Sequence, residues 1–291
     1  ALAVPHPGAL RYCFANRHGR PAANRTAREN SMNDLATDDD VRTPPMQLNG
    51  LVSVVTGAGR GIGRGCAIAL ADAGSEVVLV SRTAEDLAEV AGVIERRGGK
   101  ARSVVCDVTD ATQVAERIEG LQRIDVLVNN AGSNIPEPFV KVSEEHLDFL
   151  LALNVKSAFL VAQAATRRML SGGRGGSIIH MSSQMGHVGS PNRTVYCMTK
   201  HALEGLSKAI AAEHAPQNIR SNCIGPTFLE TPMTKPMFEN PEFRSFVMDR
   251  ILMGRLGKIE DIMGSIVFLA SPASALITGA SLTIDGGWTT V

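Results

Sequence analysis

The sequence predicts an α/β fold: a single doubly wound, Rossmann-like domain built on a seven-stranded parallel sheet. Two observations carry this prediction. Short apolar runs rich in β-branched residues alternate with amphipathic helical stretches from residue 47 onward, and the first run leads directly into a glycine-rich turn. Near-continuous apolar strands separated by helices are typical of a parallel sheet that is covered on both faces.

The elements of this domain follow one another along the chain. The segment from about 226 to 256 is long, irregular and rich in proline, methionine and phenylalanine, which is typical of a lid. The predicted strands are Val52–Thr56, Val77–Val80, Ala101–Cys106, Ile124–Val128, Ser177–Met181, Ile219–Ile224 and Ser281–Ile284. The predicted helices are Gly63–Ala73, Ala84–Arg97, Ala111–Leu121, Glu144–Leu170, Thr194–His214 and Ile259–Ala270.

Residues 1–46 differ from the domain, which spans 47–291, and we expect them to form an irregular, disordered leader. They are rich in arginine and poor in acids as far as Asn30, which is typical of a mitochondrial transit peptide. However, they lack an apolar helical face. An extension foreign to the native protein, with translation starting at Met32 or Met46, explains the segment equally well.

Composition and charge exclude several classes of partner. Basic and acidic residues both number 29, so a net charge of zero offers no basic field to nucleic acid or to an anionic membrane. No apolar run reaches the ~20 residues of a transmembrane helix. Five scattered cysteines without metal-ligand spacing indicate free thiols, no metal site and a reducing, cytoplasmic location. A functional transit peptide would make the location mitochondrial instead.

The first strand ends in the turn Gly57-Ala58-Gly59-Arg60-Gly61-Ile62-Gly63, and a helix follows at once. A strand, a glycine turn and a helix N-terminus together form a site for a pyrophosphate, because the backbone approaches closely and free N–H groups face the anion. The spacing is Thr-Gly-x-x-x-Gly-x-Gly, with Ile62 in the place of the third glycine of the common dinucleotide fingerprint. The alternative is a turn that only connects the two elements.

Tyr196 and Lys200 form a second motif, with Ser183 thirteen residues upstream of the tyrosine. On a helix, residues four apart lie on the same face. A nearby ammonium group lowers the pKa of a phenol, which suits the phenol for proton transfer near neutral pH. Alone, such a pair is more often a solvated helix face, so the interpretation depends on the other motifs.

These motifs resemble the short-chain dehydrogenase/reductase family from about Leu48 to the C-terminus. The same order also contains Asp107 after the third strand, Asn129-Asn130-Ala131-Gly132 after the fourth, and Asn154. The resemblance implies an oxidoreductase that transfers a hydride between a nicotinamide cofactor and a secondary alcohol or ketone. It extends to sugar and polyol dehydrogenases and 3-oxoacyl reductases, and it implies a homotetramer, with a dimer as the second choice.

The resemblance assigns four catalytic residues. Tyr196 would be the acid/base, Lys200 would lower the tyrosine pKa and hold the nicotinamide ribose, and Ser183 would hydrogen-bond the substrate oxygen. Asn154 would hold a water molecule that relays protons to the lysine. The alternative for Asn154 is a buried amide that satisfies a local backbone group.

The cofactor-binding residues follow from the same resemblance. Asp107 would bond the adenine amino group, and Thr231 would meet the nicotinamide carboxamide. Gly225-Pro226 departs from the family's Pro-Gly order, which affects a backbone contact to the nicotinamide. The full predicted set comprises Thr56, Gly57, Gly59, Arg60, Gly61, Ile62, Gly63, Ser81, Arg82, Asp107, Val108, Asn130, Ala131, Gly132, Tyr196, Lys200, Pro226 and Thr231.

The second strand indicates which nicotinamide the protein uses. An NAD site places an acid at the end of this strand, where it accepts a hydrogen bond from the ribose 2′-hydroxyl. Here the strand leads into Ser81-Arg82 instead. Arg82, with Arg60 from the glycine turn, would clamp a 2′-phosphate through charge-assisted hydrogen bonds. The sequence therefore favours NADP(H), with NAD(H) as the alternative.

Polar residues near the predicted active site suggest a hydroxylated substrate such as a sugar, a sugar acid or a polyol. They are Asn134, Gln184 and His187, together with Ser183 and Tyr196. The apolar lid would equally suit a 3-oxoacyl thioester. A non-catalytic dinucleotide-sensing protein on the same fold is the alternative from another class. The presence of all four catalytic residue types favours an enzyme.

Overall fold

A computed structural model describes residues 41–232 and 234–290. From Pro44 onward the described residues form one compact unit. Residues 41–46 are exposed and have no regular secondary structure. The predicted leader lies outside the described residues as far as residue 40, so its structure stays a prediction.

The predicted seven-stranded parallel sheet is confirmed. Its order is β3-β2-β1-β4-β5-β6-β7, and every neighbouring pair is parallel. The order reverses between β1 and β4, so the sheet opens a crevice at their carboxyl ends, where ligands of such sheets bind. The strands are β1 Val52–Thr56, β2 Glu76–Ser81, β3 Lys100–Val105, β4 Val126–Asn129, β5 Gly176–Met181, β6 Ile219–Pro226 and β7 Ser281–Ile284.

Helices cover both faces of this sheet. The chain contributes α1 Gly61–Asp72, α2 Ala84–Arg96, α3 Ala111–Val114, α4 Glu144–Leu151, α5 Ser157–Gly172, α6 Thr194–His214, α7 Pro241–Met248 and α8 Glu260–Ala270. One apolar core joins the sheet to α1, α2 and α8, and a second joins its other face to α3 and α5. Val55 belongs to the first core and its neighbour Val54 to the second, as the alternation of a strand requires.

The predicted helix Glu144–Leu170 is interrupted by a wider, five-residue turn. This π-type turn, Ala152–Lys156, joins α4 to α5 and contains Asn154. Such wide turns inside helices occur frequently at functional sites. The helix then continues to Gly172 and is terminated by Gly173, whose φ of 67° is left-handed. A similar wide turn, Ala115–Glu119, extends α3.

The continuous helical stretch Glu144–Gly172 is the one described helix that is long and apolar enough to cross a membrane by length and composition. It has 29 residues, and an 18-residue window within it has a mean hydropathy of 1.4 and is 50% buried inside the fold. A helix that covers the face of a parallel sheet has the same apolar character. The buried half is therefore explained by packing on β4 and β5.

The lid segment, residues 226–256, is more regular than the sequence indicated. It contains the short 3₁₀ helix Lys235–Glu239 and then α7. Asn240 caps α7 by accepting hydrogen bonds from the N–H groups of Glu242 and Phe243, and Pro241 occupies its first position. Asparagine followed by proline is a helix start, so this part of the prediction of an irregular lid was wrong.

Candidate active site

A cavity with a volume of about 600 Å³ lies at the carboxyl ends of the central strands. It brings together most of the residues that the sequence predicted to act. These residues are Gly57, Gly59, Arg60, Gly61, Ile62, Gly63, Ser81, Arg82, Asp107, Val108, Asn130, Ala131, Gly132, Asn134, Ser183, Gln184, Tyr196, Lys200, Pro226 and Thr231. Their individual roles stay predictions.

The glycine turn leaves no room for a side chain at Gly57 and Gly63. A Cβ on Gly63 would lie 2.2 Å from the carbonyl oxygen of Gly57, and Gly57 itself has a φ of +65°. Helix α1 starts at Gly61 without a side-chain hydrogen bond to its first N–H groups, and its first residues line the cavity. Free N–H groups at a helix N-terminus favour an anion. The turn therefore fits the pyrophosphate of a dinucleotide.

Thr56 was predicted to contact the cofactor, but it does not line the cavity. It is fully buried below the turn. Its Oγ1 accepts hydrogen bonds from the backbone N–H groups of Asn130 at 3.0 Å and Ala131 at 3.1 Å. Asn130 returns a hydrogen bond from Nδ2 to the Thr56 carbonyl oxygen at 2.9 Å. The threonine therefore braces the end of β1 against the end of β4.

Two arginines lie at the end of the cavity near β2. The strand ends at Ser81, and Arg82 follows it, with Arg60 across the cavity. Both arginines are exposed, so their guanidinium groups are free to move toward a ligand. The sequence analysis missed Asp86, which lines the same end and packs beneath Gly59 in the first turn of α2.

Asp107 follows β3 and lines the same end of the cavity. One carboxylate oxygen, Oδ1, accepts hydrogen bonds from the N–H group of Thr109 at 2.9 Å and from its hydroxyl at 2.7 Å. These bonds, with the charge of Arg82, hold the pKa of Asp107 below its usual value. The second carboxylate oxygen is left for a ligand. The neighbouring Asp110 caps α3 instead.

Tyr196 and Lys200 lie on one face of α6, as their spacing predicts. The Lys200 ammonium lies 5.4 Å from the centre of the Tyr196 ring, and its Nζ donates a hydrogen bond to the Met181 carbonyl oxygen at 2.7 Å. Burial lowers the pKa of Lys200 to about 8. The lysine is thus positioned by the end of β5.

The pKa of Tyr196 differs from the expectation. Burial raises it, while the neighbouring Ser183 hydroxyl and the charge of Arg193 partly offset that increase. The expectation that Lys200 lowers the pKa of the tyrosine does not describe this state, because its ammonium contacts the ring and a carbonyl. Among the described groups, the cation that favours the phenolate is Arg193.

Ser183 follows β5 and is buried at the cavity wall. Its hydroxyl donates to Oε1 of Gln184 at 2.6 Å and accepts from the N–H group of Met185 at 3.2 Å. A substrate oxygen that takes the Ser183 proton must therefore displace Gln184. Ser182 also lines the cavity, and its hydroxyl has no hydrogen-bond partner among the described groups.

Asn154 lies outside the cavity lining, and its side chain does not contact Lys200. Its Oδ1 accepts from the N–H group of Ser133 at 2.9 Å, and its Nδ2 donates to the Ser133 carbonyl oxygen at 2.8 Å and to Thr199 Oγ1 at 3.2 Å. These hydrogen bonds fit the alternative prediction for Asn154, a buried amide that satisfies local backbone groups. A proton relay through Asn154 stays a prediction, and its side-chain amide is already occupied.

His187 was expected to contact the substrate, but the structure places it outside the cavity lining. Its Nε2 lies 2.9 Å from Ser281 Oγ and 3.4 Å from Glu204 Oε1, outside the cavity lining. The short 3₁₀ helix Gln184–Gly186 turns the chain after Ser183 and directs the histidine toward β7 and α6. Nothing in the sequence indicates that turn.

Arg193 is the main site residue that sequence reasoning missed. It immediately precedes α6, is only 5% exposed and lines the cavity beside Tyr196. Its position three residues before the tyrosine could have indicated this, because residues three apart on a helix are neighbours. Other missed lining residues are Val80, Thr83, Asp86, Cys106, Ser133, Leu153, Met181, Ser182, Met185, Thr227, Phe228, Leu229, Pro232, Thr234 and Met237.

Within residues 41–232 and 234–290, no group of three or more His, Cys, Asp or Glu side chains could hold a metal ion. The four described cysteines are free and buried: Cys66, Cys106, Cys197 and Cys223. Burial raises the pKa of Cys106 to about 11 although this thiol lines the cavity. Its thiolate is therefore disfavoured, and it contributes packing to the site.

Comparisons with known proteins agree with this geometry. Residues 57–289 match a family model described as enoyl-(acyl carrier protein) reductase. The chain is 36% identical to L-xylulose reductase of Bos taurus over 243 residues, which cover 84% of this chain and 98% of that protein. It is 38% identical to 3-oxoacyl-acyl-carrier-protein reductase of Thermotoga maritima over 246 residues, which cover 83% of this chain and 99% of that protein.

A solved structure extends the comparison. The crystal structure of a protein described as an NAD(P)-dependent gluconate 5-dehydrogenase from Beutenbergia cavernae, with bound NADP at low occupancy, matches with a TM-score of 0.82 and 37% identity. The match covers 85% of this chain and all of that chain. The structural similarity therefore extends over most of this chain.

Proposed function

The chain belongs to the short-chain dehydrogenase/reductase family, whose members act on CH–OH groups, and we propose that it transfers a hydride between NADP(H) and a secondary alcohol or ketone of a sugar, polyol or related small molecule. One observation carries the proposal. Tyr196, Ser183 and Lys200 meet in the same cavity whose other end is formed by the glycine turn, Arg60 and Arg82. A proton donor and a dinucleotide cradle in one cavity are what this reaction requires.

Two features support NADP(H) as the cofactor. The glycine turn fits a pyrophosphate, and Arg82 follows β2 at the place where an NAD enzyme has an acid. Arg60 and Arg82 bring two guanidinium groups to this end of the cavity, beside the carboxylates of Asp86 and Asp107. The related gluconate 5-dehydrogenase structure contains bound NADP. When bound, the nicotinamide supplies or accepts the hydride.

The residues of the chain handle the proton. In the direction of reduction, the carbonyl carbon gains a hydride while Tyr196 donates its proton to the carbonyl oxygen, which yields the alcohol. The raised pKa of Tyr196 keeps the phenol protonated for this step. Arg193 then stabilises the phenolate, and Ser183 holds the substrate oxygen. Lys200, fixed by Met181, orients the ribose.

Orphaned polar atoms support a hydroxylated substrate. Asn134 and Thr227 belong to the cavity wall. The Oδ1 atom of Asn134 and the Oγ1 atom of Thr227 are buried and have no hydrogen-bond partner among the described groups. Buried polar groups are normally satisfied, so these atoms favour a ligand or water with hydroxyl groups. The related L-xylulose reductase and gluconate 5-dehydrogenase are named for such substrates.

A 3-oxoacyl thioester is the second candidate substrate. The apolar lid, with Phe228 and Met237 at the cavity, favours it, and the similar Thermotoga maritima protein is named for that activity. A dinucleotide-sensing protein without activity is the alternative from another class. The convergence of Tyr196, Ser183 and Lys200 argues against it, because sensing requires no proton donor.

The test follows the absorbance of NADPH, and of NADH in parallel, with keto-sugars, diketones and 3-oxoacyl thioesters. Turnover of keto-sugars that is faster with NADPH would support the proposal. Turnover of thioesters alone would favour the second candidate. Tight NADPH binding without turnover of any compound, including the alditols and aldonates tested in the reverse direction, would favour the sensing role.

We also propose a homotetramer, with a dimer as the second choice, in a reducing compartment such as the cytoplasm. Large apolar side chains are exposed along the helical face that contains α4, α5 and α6: Phe149, Phe159 and Met198. Exposed apolar residues grouped on one face support association with another copy. The buried free cysteines support the compartment.

A further inference from the structure

Arg193 is a buried cation in the substrate half of the cavity. It is 5% exposed, and it lies one helical turn before Tyr196. Its Nη2 lies 3.8 Å from Met237 Sδ, and its guanidinium carbon lies 5.9 Å from the centre of the Phe243 ring. Both neighbours belong to the lid segment. The charge therefore faces a sulfur atom, an aromatic ring and the cavity.

No carboxylate among the described residues lies within 4.0 Å of this guanidinium, since none of their ion pairs includes Arg193. The charged groups that influence its pKa are only the weak acids Tyr196 and Cys197. A buried charge is costly unless it is paired and hydrogen-bonded. Arg193 thus has the features of a binding group that awaits an anion.

Arg220 shows what a structural buried arginine looks like in the same chain. It is 9% exposed, and its guanidinium donates to the carbonyl oxygens of Leu269 at 2.8 Å, Ser271 at 3.4 Å and Ile277 at 3.5 Å. Those acceptors fix the loop beyond α8, and Arg220 is remote from the cavity lining. Arg193 has no oxygen acceptor of this kind among the described groups.

The shape of the Arg193 guanidinium indicates which kind of anion would bind to it. A guanidinium offers a planar fork of N–H groups that matches a carboxylate in a bidentate pair. Arg193 lies three residues before Tyr196 in the chain, and both side chains line the same cavity. A carboxylate at Arg193 would therefore be only a few bonds away from the carbon that reacts at Tyr196. Gln184 and Asn134 would face the hydroxyl groups between them.

We propose that Arg193 binds a carboxylate of the substrate and makes this enzyme selective for hydroxy or oxo acids, such as an aldonate and its ketone, over uncharged polyols and ketoses. The proposal rests on the hydride-transfer function given above and names its substrate class. A preference for acids would also distinguish this chain from relatives named for uncharged sugars, such as L-xylulose reductase. The same guanidinium would serve the reaction twice, since its charge also favours the Tyr196 phenolate.

The experiment compares matched pairs of substrates that differ only at one terminal carbon. The rate of oxidation by NADP⁺ would be measured for three pairs of an aldonate and its alditol: D-gluconate and D-glucitol, D-xylonate and xylitol, and L-threonate and L-threitol. D-Glucitol 6-phosphate would test whether a phosphate can replace the carboxylate. The variants are Arg193→Met and Arg193→Lys. Arg250→Met is the matched control, because Arg250 stacks over Phe246 in the same lid segment and is exposed outside the cavity.

We expect the wild type to prefer the aldonate in each pair it oxidises. Arg193→Met should lower the aldonate-to-alditol ratio of kcat/KM by about 10- to 100-fold, mainly through the aldonate KM, since hydrogen bonds to charged groups are strong. Arg193→Lys should recover part of the ratio, because it keeps the charge but not the fork. Arg250→Met should leave it unchanged. The ratio cancels any effect of Arg193 on Tyr196, which acts on both substrates alike.

A binding measurement makes the inference independent of turnover. Titration calorimetry of D-gluconate into the NADP⁺ complex should show binding to the wild type and no binding to Arg193→Met. An unchanged affinity for NADP⁺ would show that the variant is folded. Equal kcat/KM ratios and equal gluconate binding in wild type and variant would overturn the inference and leave the hydride-transfer function standing. A preference for D-glucitol 6-phosphate over gluconate would overturn the carboxylate assignment. Arginine-dependent gluconate binding without turnover of any panel compound would support the inference and count against the proposed function.

Discussion

Tyr196 lies between two cations that act on it differently. Arg193, one turn earlier, lowers the pKa of the phenol through its charge. Lys200, one turn later, packs its ammonium against the ring and holds the Met181 carbonyl. Burial opposes the effect of Arg193 on the pKa and keeps the phenol protonated. The tyrosine is thus a proton donor whose conjugate base would be stabilised by a cation located just before the same helix.

Tyr196→Phe tests the proton donor. The substitution keeps the ring that packs against Lys200 and removes the hydroxyl. Turnover should fall by about 10²- to 10⁴-fold, the usual contribution of general acid–base catalysis, while the dissociation constant for NADPH stays within about threefold. Steady-state rates and a fluorescence titration measure the two quantities. Undiminished turnover would remove Tyr196 from the assignment.

Arg82→Ala tests the cation at the end of β2. The loss of charge-assisted hydrogen bonds of about 1.5–3 kcal/mol should weaken NADPH by about 10- to 100-fold and leave NADH almost unaffected. Arg96→Ala, exposed at the end of α2 and outside the cavity lining, is the control. Equal weakening of NADPH and NADH would contradict a 2′-phosphate clamp.

His180 links the site to stability at low pH. It is completely buried in β5, and burial together with the charge of Lys200 lowers its pKa to about 4 from 6.5. Between these values the unfolded chain binds the proton and the folded chain does not, so stability falls as the pH falls through this window. The histidine should cost about 2 kcal/mol of stability between pH 7 and pH 5.

His180→Leu should remove this part of the pH dependence. Urea unfolding of wild type and variant at pH 7 and pH 5 measures the difference, and the variant should lose about 2 kcal/mol less than the wild type over that interval. His201→Leu, at an exposed position on α6, serves as the control. Parallel losses in His180→Leu and wild type would show that His180 is not responsible.

At the scale of elements, the lid segment is held by aromatic packing. Phe228, Phe238, Phe243 and Phe246 pack with Trp288 from the C-terminal segment. Phe243 lies 5.5 Å from Phe228 and 6.0 Å from Phe238, centre to centre. The lid is thus joined to the residues that follow β7, and its position over the cavity depends on these rings.

Phe243→Ala should loosen the lid without disturbing the sheet. Aromatic pairs contribute about 0.5–1.5 kcal/mol each, so the loss of the Phe243 pairs should raise the substrate KM about tenfold. The dissociation constant for NADPH should change much less, since the glycine turn is remote from the lid. Phe139→Ala, 72% exposed outside the lid, is the control. A KM that stays at the wild-type value would exclude an aromatic anchor for substrate binding.

The sequence predicted the sheet well because the central strands β1, β2, β4 and β5 are buried, mostly apolar runs. Val52–Thr56 and Ser281–Ile284 were predicted to the residue, and the other strands differ by at most two residues at either end. The wide turn at Asn154 and the direction of His187 could not be predicted, because both depend on packing against distant elements. Arg193 escaped notice for a related reason, since its burial is decided by Met237 and Phe243 of the lid.

At the scale of the whole molecule, the two faces of the sheet differ. On the face that contains α4, α5 and α6, Phe149 and Phe159 are 45% and 48% exposed. On the other face, α2 shows a charged surface with Glu95 among its exposed residues. The proposed association of subunits therefore uses the first face.

Phe159→Asp should disrupt this association. A carboxylate in an apolar interface is strongly unfavourable unless it is paired. Light scattering after size-exclusion chromatography should give the mass of four chains for the wild type and of one or two chains for the variant. Glu95→Lys, a charge change on α2, should keep the wild-type mass. A wild type that elutes as a single chain would refute the proposed tetramer.

Trp288 is the only tryptophan in the chain, and it packs 5.7 Å from Phe228 and 6.2 Å from Phe246 of the lid, centre to centre. The molecule therefore carries its own optical reporter. Any motion of the lid changes the surroundings of this single indole, so the tryptophan fluorescence reports that motion directly. Since reduced nicotinamide absorbs where tryptophan emits, the same indole can signal the arrival of the reduced cofactor by energy transfer. Stopped-flow fluorescence of the unlabelled protein can therefore separate lid opening, lid closing and cofactor binding in time.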